Sequence, residues 1–235
     1  MLKVRWSFLF VFTVILCCFS PFLILAKDSI KIGVLLPTSG SGAAYGIPAI
    51  NGITLAIKEI NTSGGLNGKK VEFTVRDTKL KPAVASAAAK ELITREKVDV
   101  LLGAISSGVT LAVSEVAKQE KIVLFAPISK TTSLTGKNFH KYIFQSSANT
   151  LIEGHAMASI AAKIGSKKIC VSGFDYAYSH DLFESLEQKL INATIVGRYY
   201  VKFGTKDFSA LISQLMGADC DTVVGAIWGG GFLAL

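Results

Sequence analysis

Few side chains in this sequence are placed to do covalent chemistry. His140, His155 and His180 share no metal-ligand spacing with one another or with a cysteine pair, and HExxH, CxxC, GxSxG and GxxxxGK[ST] are all absent from the chain. Each histidine is expected at the surface or along a helix. The acid pairs are no more promising: Asp175 and Asp181 flank an aromatic turn, and Asp219 and Asp221 precede a strand-like run. With no nucleophile, metal set or phosphate loop, the residues predict no enzyme, no metal and no cofactor.

The spacing does support anion binding by backbone groups. Gly40-Ser-Gly42-Ala-Ala-Tyr45-Gly46 follows a strand-like run and opens a helix-like one, in the place of a dinucleotide fingerprint. The third glycine is one residue late for GxGxxG, and Pro37 and Thr38 intervene. Asp77, the acid closing the next strand, lies 37 residues after Gly40 rather than the usual ~20. A nicotinamide site is therefore not expected. Small residues at a helix start let N–H groups reach a carboxylate, and the helix dipole favours negative charge there. Ser106-Ser107-Gly108 repeats the device after the run ending near Ala104. In an open α/β sheet such strand ends line the crevice where ligands bind.

A regular framework must hold those turns. Strand-like runs at 30–37, 71–77, 98–104 and 122–127 alternate with helical patterns at 46–63, from Pro82 onward, and at 109–119. A polar stretch from Ser129 to His140 follows. The rhythm then restarts, with strands at 142–145, 168–174, 194–202 and 221–228 and helices at 149–164, 181–190 and 208–216. Near-continuous apolar strands joined by crossover helices predict parallel sheets covered on both faces, here in two α/β lobes with a cleft between them.

The chain has 235 residues, net charge +8, half its residues hydrophobic and four cysteines. That is ample for a core, too apolar for disorder, and too long for a disulfide-built mini-scaffold. Residues 1–26 carry Lys3 and Arg5, then a nearly unbroken apolar run from Phe8 to Ala26, which predicts a secretory signal peptide. The run is long enough that an uncleaved membrane anchor is the alternative. Either way the remainder is expected outside the cytoplasm. Beyond residue 26, 23 basic residues face 17 acidic ones with no aromatic-interleaved basic patch, which argues against nucleic acid. Cys170 and Cys220 each adjoin a strand-like run; two buried thiols are expected, although an oxidising compartment permits a bridge.

IKIGVLLPTSGSGAAYG, NGITLAIKEINTSGGLNGKKVEF and LLGAISSGVTLAV, followed by FHKYIFQSSANT, GFDYAYSHDLFESL and GADCDTVVGAIWGG, resemble in order and spacing the periplasmic solute-binding proteins of branched-chain amino acid ABC transporters. The resemblance runs from Ile30 to the last residue. It implies a type I periplasmic-binding fold: α/β, two Rossmann-like lobes with parallel sheets flanked by helices, the second incomplete. The implied divisions are 1–26 for the signal, 27–140 for the first lobe and 141–235 for the second. A short chain of this kind is expected to be marginally stable alone and to bind weakly or not at all.

The resemblance also implies a periplasmic monomer that takes a small carboxylate-bearing ligand, such as an amino acid, and delivers it to an ABC permease in the inner membrane. A ligand-sensing receptor ectodomain of the same fold is the alternative. Matched by position, Tyr45 and Tyr178 are ligand-contacting aromatics, and Trp228 lies where another is presented. Ser106 and Ser107 match a pair that receives the ligand carboxylate. Ser129 matches a position offering its backbone carbonyl to an amino group. Lys130 stands where a threonine is usual, and it either adds a cation to the cleft or points to solvent.

Overall fold

The computed structural model describes residues 29–235; the expected signal segment, 1–26, lies outside them. Among the described residues, eight strands form two parallel sheets. The first has the order β2-β1-β3-β4-β5, built from β1 (Ser29–Leu36), β2 (Lys70–Asp77), β3 (Val100–Gly103), β4 (Val123–Ala126) and β5 (Ile143–Gln145). The second has the order β7-β6-β8, built from β6 (Lys168–Phe174), β7 (Thr194–Val201) and β8 (Thr222–Ala226).

Burial on both faces explains why β1 reads as a near-continuous apolar run, interrupted at Lys31. On one face, α2 (Pro82–Thr94) and α3 (Ser107–Glu120) cover Leu35, Leu101 and Leu124 with Leu92 and Val113. On the other, Val34 and Leu36 pack with Ile50 and Ile53 of α1 (Ala43–Thr62). Each fully buried Leu or Val among these contributes about 1.5–3 kcal/mol. Pro82 opens α2 at its first turn, where a missing N–H costs nothing.

In the second lobe, α4 (Thr150–Ile164) begins where the Asn149 side chain accepts the Ile152 N–H, and ends at Gly165 in the left-handed conformation. It lies beside α5 (Ala177–Lys189) at a separation that glycine permits. A Cβ on Gly154 would stand 2.6 Å from the Leu186 nitrogen and from the Ser185 Cβ. Ile169 and Val171 of β6 pack with Leu182, Phe183 and Leu186 of α5. Leu211 of α6 (Ser209–Met216) packs with Phe174, Phe208 and Ile227. A short α7 (Gly230–Ala234) closes the chain.

Three expectations are corrected. The strand expected at 142–145 to restart the rhythm in the second lobe belongs to the first sheet: Phe144 stands beside Phe125 of β4, ring centroids 5.4 Å apart, and Leu124 N–H donates to the Tyr142 carbonyl. The first sheet thus runs past residue 140. The polar stretch from Ser129 to His140 is packed, with Leu134 fully buried. His140, expected at the surface or on a helix, is buried and bonds Ser114 Oγ through Nε2 at 2.8 Å. Lastly, Cys170 and Cys220 are joined in a disulfide, not kept as thiols. Parallel pairing of β6 with β8 brings their Cα atoms to 5.8 Å, inside the bridging range.

The bridge closes a 50-residue separation, for which chain entropy predicts about 4 kcal/mol of stabilisation. Reduction should therefore lower the urea midpoint, and a Cys170→Ala/Cys220→Ala variant should match the reduced protein. Identical midpoints with and without reductant would contradict the pairing.

Candidate functional site

Both sheets turn the carboxyl ends of their strands toward one crevice. In the order 2-1-3-4-5 the topological switch point falls between β1 and β3, where open α/β sheets bind ligands. The loop leaving β1 is pinned by Asp77 at the end of β2: its carboxylate accepts the Thr38 N–H (3.0 Å), the Ser39 hydroxyl (2.6 Å) and the Lys79 N–H (2.9 Å). Burial opposes ionisation of Asp77, but these bonds hold its carboxyl below the ordinary value. A short 3-10 turn (Gly40–Gly42) then leads into α1. Gly46 is required there, because a Cβ would lie 1.8 Å from the Pro37 carbonyl oxygen.

A cavity of about 160 Å³ lies between the lobes. Tyr45 enters it from α1, Ile105 from the loop after β3, Ser107 from the first turn of α3, and Ile128 and Lys130 from the loop after β4. The second lobe contributes Tyr176 and Tyr178 after β6 and Trp228 after β8. Tyr45 and Trp228 meet edge to face across the cleft at 5.4 Å. The Trp228 indole N–H donates to the Tyr176 hydroxyl at 2.6 Å, which fixes both rings.

Of the residues expected from sequence, Tyr45, Ser107, Lys130, Tyr178 and Trp228 border this cavity together. Ser106 is buried at the N-cap of α3, where its side chain makes no capping bond. The first turn of α3 also holds no acidic residue, so its N–H groups carry no side-chain anion. Ser129 is placed differently from expectation. Its carbonyl already accepts from Gln145 Nε2 (2.9 Å) and Ser147 Oγ (3.2 Å), which uses both lone pairs and leaves none for a ligand amine.

Lys130 is not an unpaired cation; its side chain borders the cavity while remaining 35% exposed. Its ammonium pairs with Glu153 of α4, whose second carboxylate oxygen accepts the Tyr178 hydroxyl at 3.2 Å. Sequence reasoning missed Tyr176, Ile105, Ile128 and Glu153. Tyr176 had a signal, lying two residues before Tyr178 in an aromatic turn. Helix α5 starts at Ala177 rather than 181, so Tyr178 sits in its first turn. Among the described residues, no group of three His, Cys, Asp or Glu side chains could hold a metal.

Two parallel sheets whose strand ends enclose one aromatic-walled crevice define a two-lobed α/β ligand-binding protein. The chain belongs to the periplasmic binding protein family, which matches residues 29–235. It is 27% identical over 201 residues to Leu/Ile/Val-binding protein homolog 3 of Brucella melitensis, covering 84% of this chain and 54% of that protein. It is 29% identical over 199 residues to the leucine-specific-binding protein of Salmonella typhimurium, covering 83% and 53%. The chain thus spans about half the length of these curated relatives.

Among solved structures it is similar to the branched-chain amino acid transporter substrate-binding protein LivJ of Streptococcus pneumoniae in complex with isoleucine. That match has a TM-score of 0.76 at 29% identity, over 84% of this chain and 56% of LivJ. It is also similar to a solute-binding protein of R. palustris in complex with benzoate, with a TM-score of 0.82 at 25% identity, over 88% and 57%. Another R. palustris protein, holding 4-hydroxybenzoate, matches with a TM-score of 0.80 at 25% identity, over 88% and 56%.

Burial pushes the pKa of both cavity phenols above the ordinary tyrosine value of 10.0; at Tyr178 the negative charge of Glu153 adds to it, while at Tyr176 the Trp228 bond works the other way. These hydroxyls stay protonated in the fold at a pH where an unfolded chain loses the proton. Their stabilisation is therefore fully present below about pH 10 and is lost as pH rises from there through the folded value. The melting temperature should fall above pH 10, and less steeply in a Tyr176→Phe/Tyr178→Phe variant. Equal alkaline slopes in the two proteins would contradict this.

Proposed function

We propose that the protein captures a small carboxylate-bearing solute, an amino acid or an aromatic acid, between its two lobes for delivery to an ABC permease. It acts as a periplasmic monomer and catalyses no reaction. The observation that carries this reading is the pairing of an uncapped helix N-terminus with aromatic walls in one cavity. The 14-residue α3 brings Ser107, in its uncapped first turn, to a space lined also by Ile105, Ile128 and Lys130 and walled by Tyr45, Tyr176, Tyr178 and Trp228. A carboxylate satisfies the donors, and the rings enclose the rest of the ligand. Similar proteins hold isoleucine in one case and benzoates in others, which supports both ligand classes.

Fluorescence titration of the full chain with isoleucine and with benzoate, carried to millimolar concentration, tests the reading. At least one should bind. Ser107→Ala should weaken that ligand about tenfold, the loss of a hydrogen bond to a charged group. Binding unchanged by Ser107→Ala would place the carboxylate elsewhere.

A further inference from the structure

Two groups around the cavity could attract an anion: the N-terminus of α3 beside Ser107, and the Lys130 ammonium. Only the first is uncompensated. Glu153 lies behind the cavity wall in the first turn of α4, its side chain 19% exposed, and one carboxylate oxygen takes the Lys130 ammonium. Its other oxygen takes the Tyr178 hydroxyl. The carboxylate thus cancels the lysine charge and positions two wall residues that come from different lobes. Asp181, the acid of α5 near this wall, is occupied by the Thr131 hydroxyl and does not compete for Lys130.

We propose that Glu153 determines the charge class of the ligand. By neutralising Lys130 it leaves the cavity one anion site, so the protein takes solutes with a single carboxylate and discriminates against dicarboxylates. This rests on the capture reading above and adds to it which residue sets selectivity. Glu153 acts through Lys130 and Tyr178, so it is a positioning residue and not a ligand contact. Removing its charge while keeping its shape frees the lysine as a second anion site, strengthened by partial exclusion of water.

The test is a titration of the full chain and its variants with benzoate against phthalate, isophthalate and terephthalate, which place a second carboxylate at three spacings. In the unaltered chain benzoate should bind best. In Glu153→Gln at least one dicarboxylate should gain about tenfold relative to benzoate, the scale of a new charge-assisted bond. A Lys130→Met/Glu153→Gln variant replaces a neutral pair by a neutral pair. It should lose the dicarboxylate gain, its dicarboxylate-to-benzoate ratio returning to that of the unaltered chain. An unchanged dicarboxylate-to-benzoate ratio in Glu153→Gln overturns the inference, as does a gain that persists in the double variant, which would place the second anion site away from Lys130. If neither benzoate nor isoleucine binds the unaltered chain, the capture reading falls and this inference with it. If they bind and only the ratio fails to move, selectivity alone is misassigned.

Discussion

Two sheets that share no strand form one site because the segment leaving β4 is held by the helices of the other sheet. Residues 129–131 make this junction. The Lys130 ammonium pairs with Glu153 of α4, the buried Thr131 hydroxyl donates to Asp181 of α5, and the Lys130 carbonyl accepts the Thr150 N–H at 2.8 Å. From the other side, Gln145 and Ser147 hold the Ser129 carbonyl. Bonds between hydroxyl and carboxylate in such settings are worth about 1.5–3 kcal/mol each. The cleft depends on them because the aromatic contact of Tyr45 with Trp228 spans it with no hydrogen bond of its own.

The same junction explains the electrostatics of the cavity. A lysine beside a carboxylate subsite would ordinarily dominate it, yet Glu153 absorbs that charge and leaves selection to the dipole and N–H groups of α3. Tyr178 is drawn into the same arrangement, and its phenol is held protonated by burial and by the neighbouring carboxylate. The wall is thus a set of donors and ring faces with little net charge, suited to a small ligand with one polar end.

Much of this was legible in the chain. Near-continuous apolar runs such as IKIGVLL identify strands buried on both faces, and Ser107 was found because it follows such a run; Tyr45, Tyr178 and Trp228 came from the family resemblance and line the same cavity. What stayed hidden depends on pairing across long separations. Glu153 lies mid-pattern in TLIEGHA and reads as a solvated helix residue; its role appears only once α4 is packed against the β4 loop. The disulfide required β6 and β8 to be neighbours although β7 separates them in sequence. A three-residue strand such as β5 carries too little pattern to reveal which sheet it joins. The direction of the Ser129 carbonyl is a backbone property with no side-chain signature.

The central claim is that a carboxylate is received at the start of α3, between the lobes. A crystal structure of the chain soaked with benzoate tests it most directly. The account predicts the carboxylate within hydrogen-bonding distance of Ser107 and the first N–H groups of α3, with the ring against Trp228 and the Lys130–Glu153 pair intact. Benzoate bound outside the cleft, or seated on Lys130 with Glu153 displaced, would contradict it.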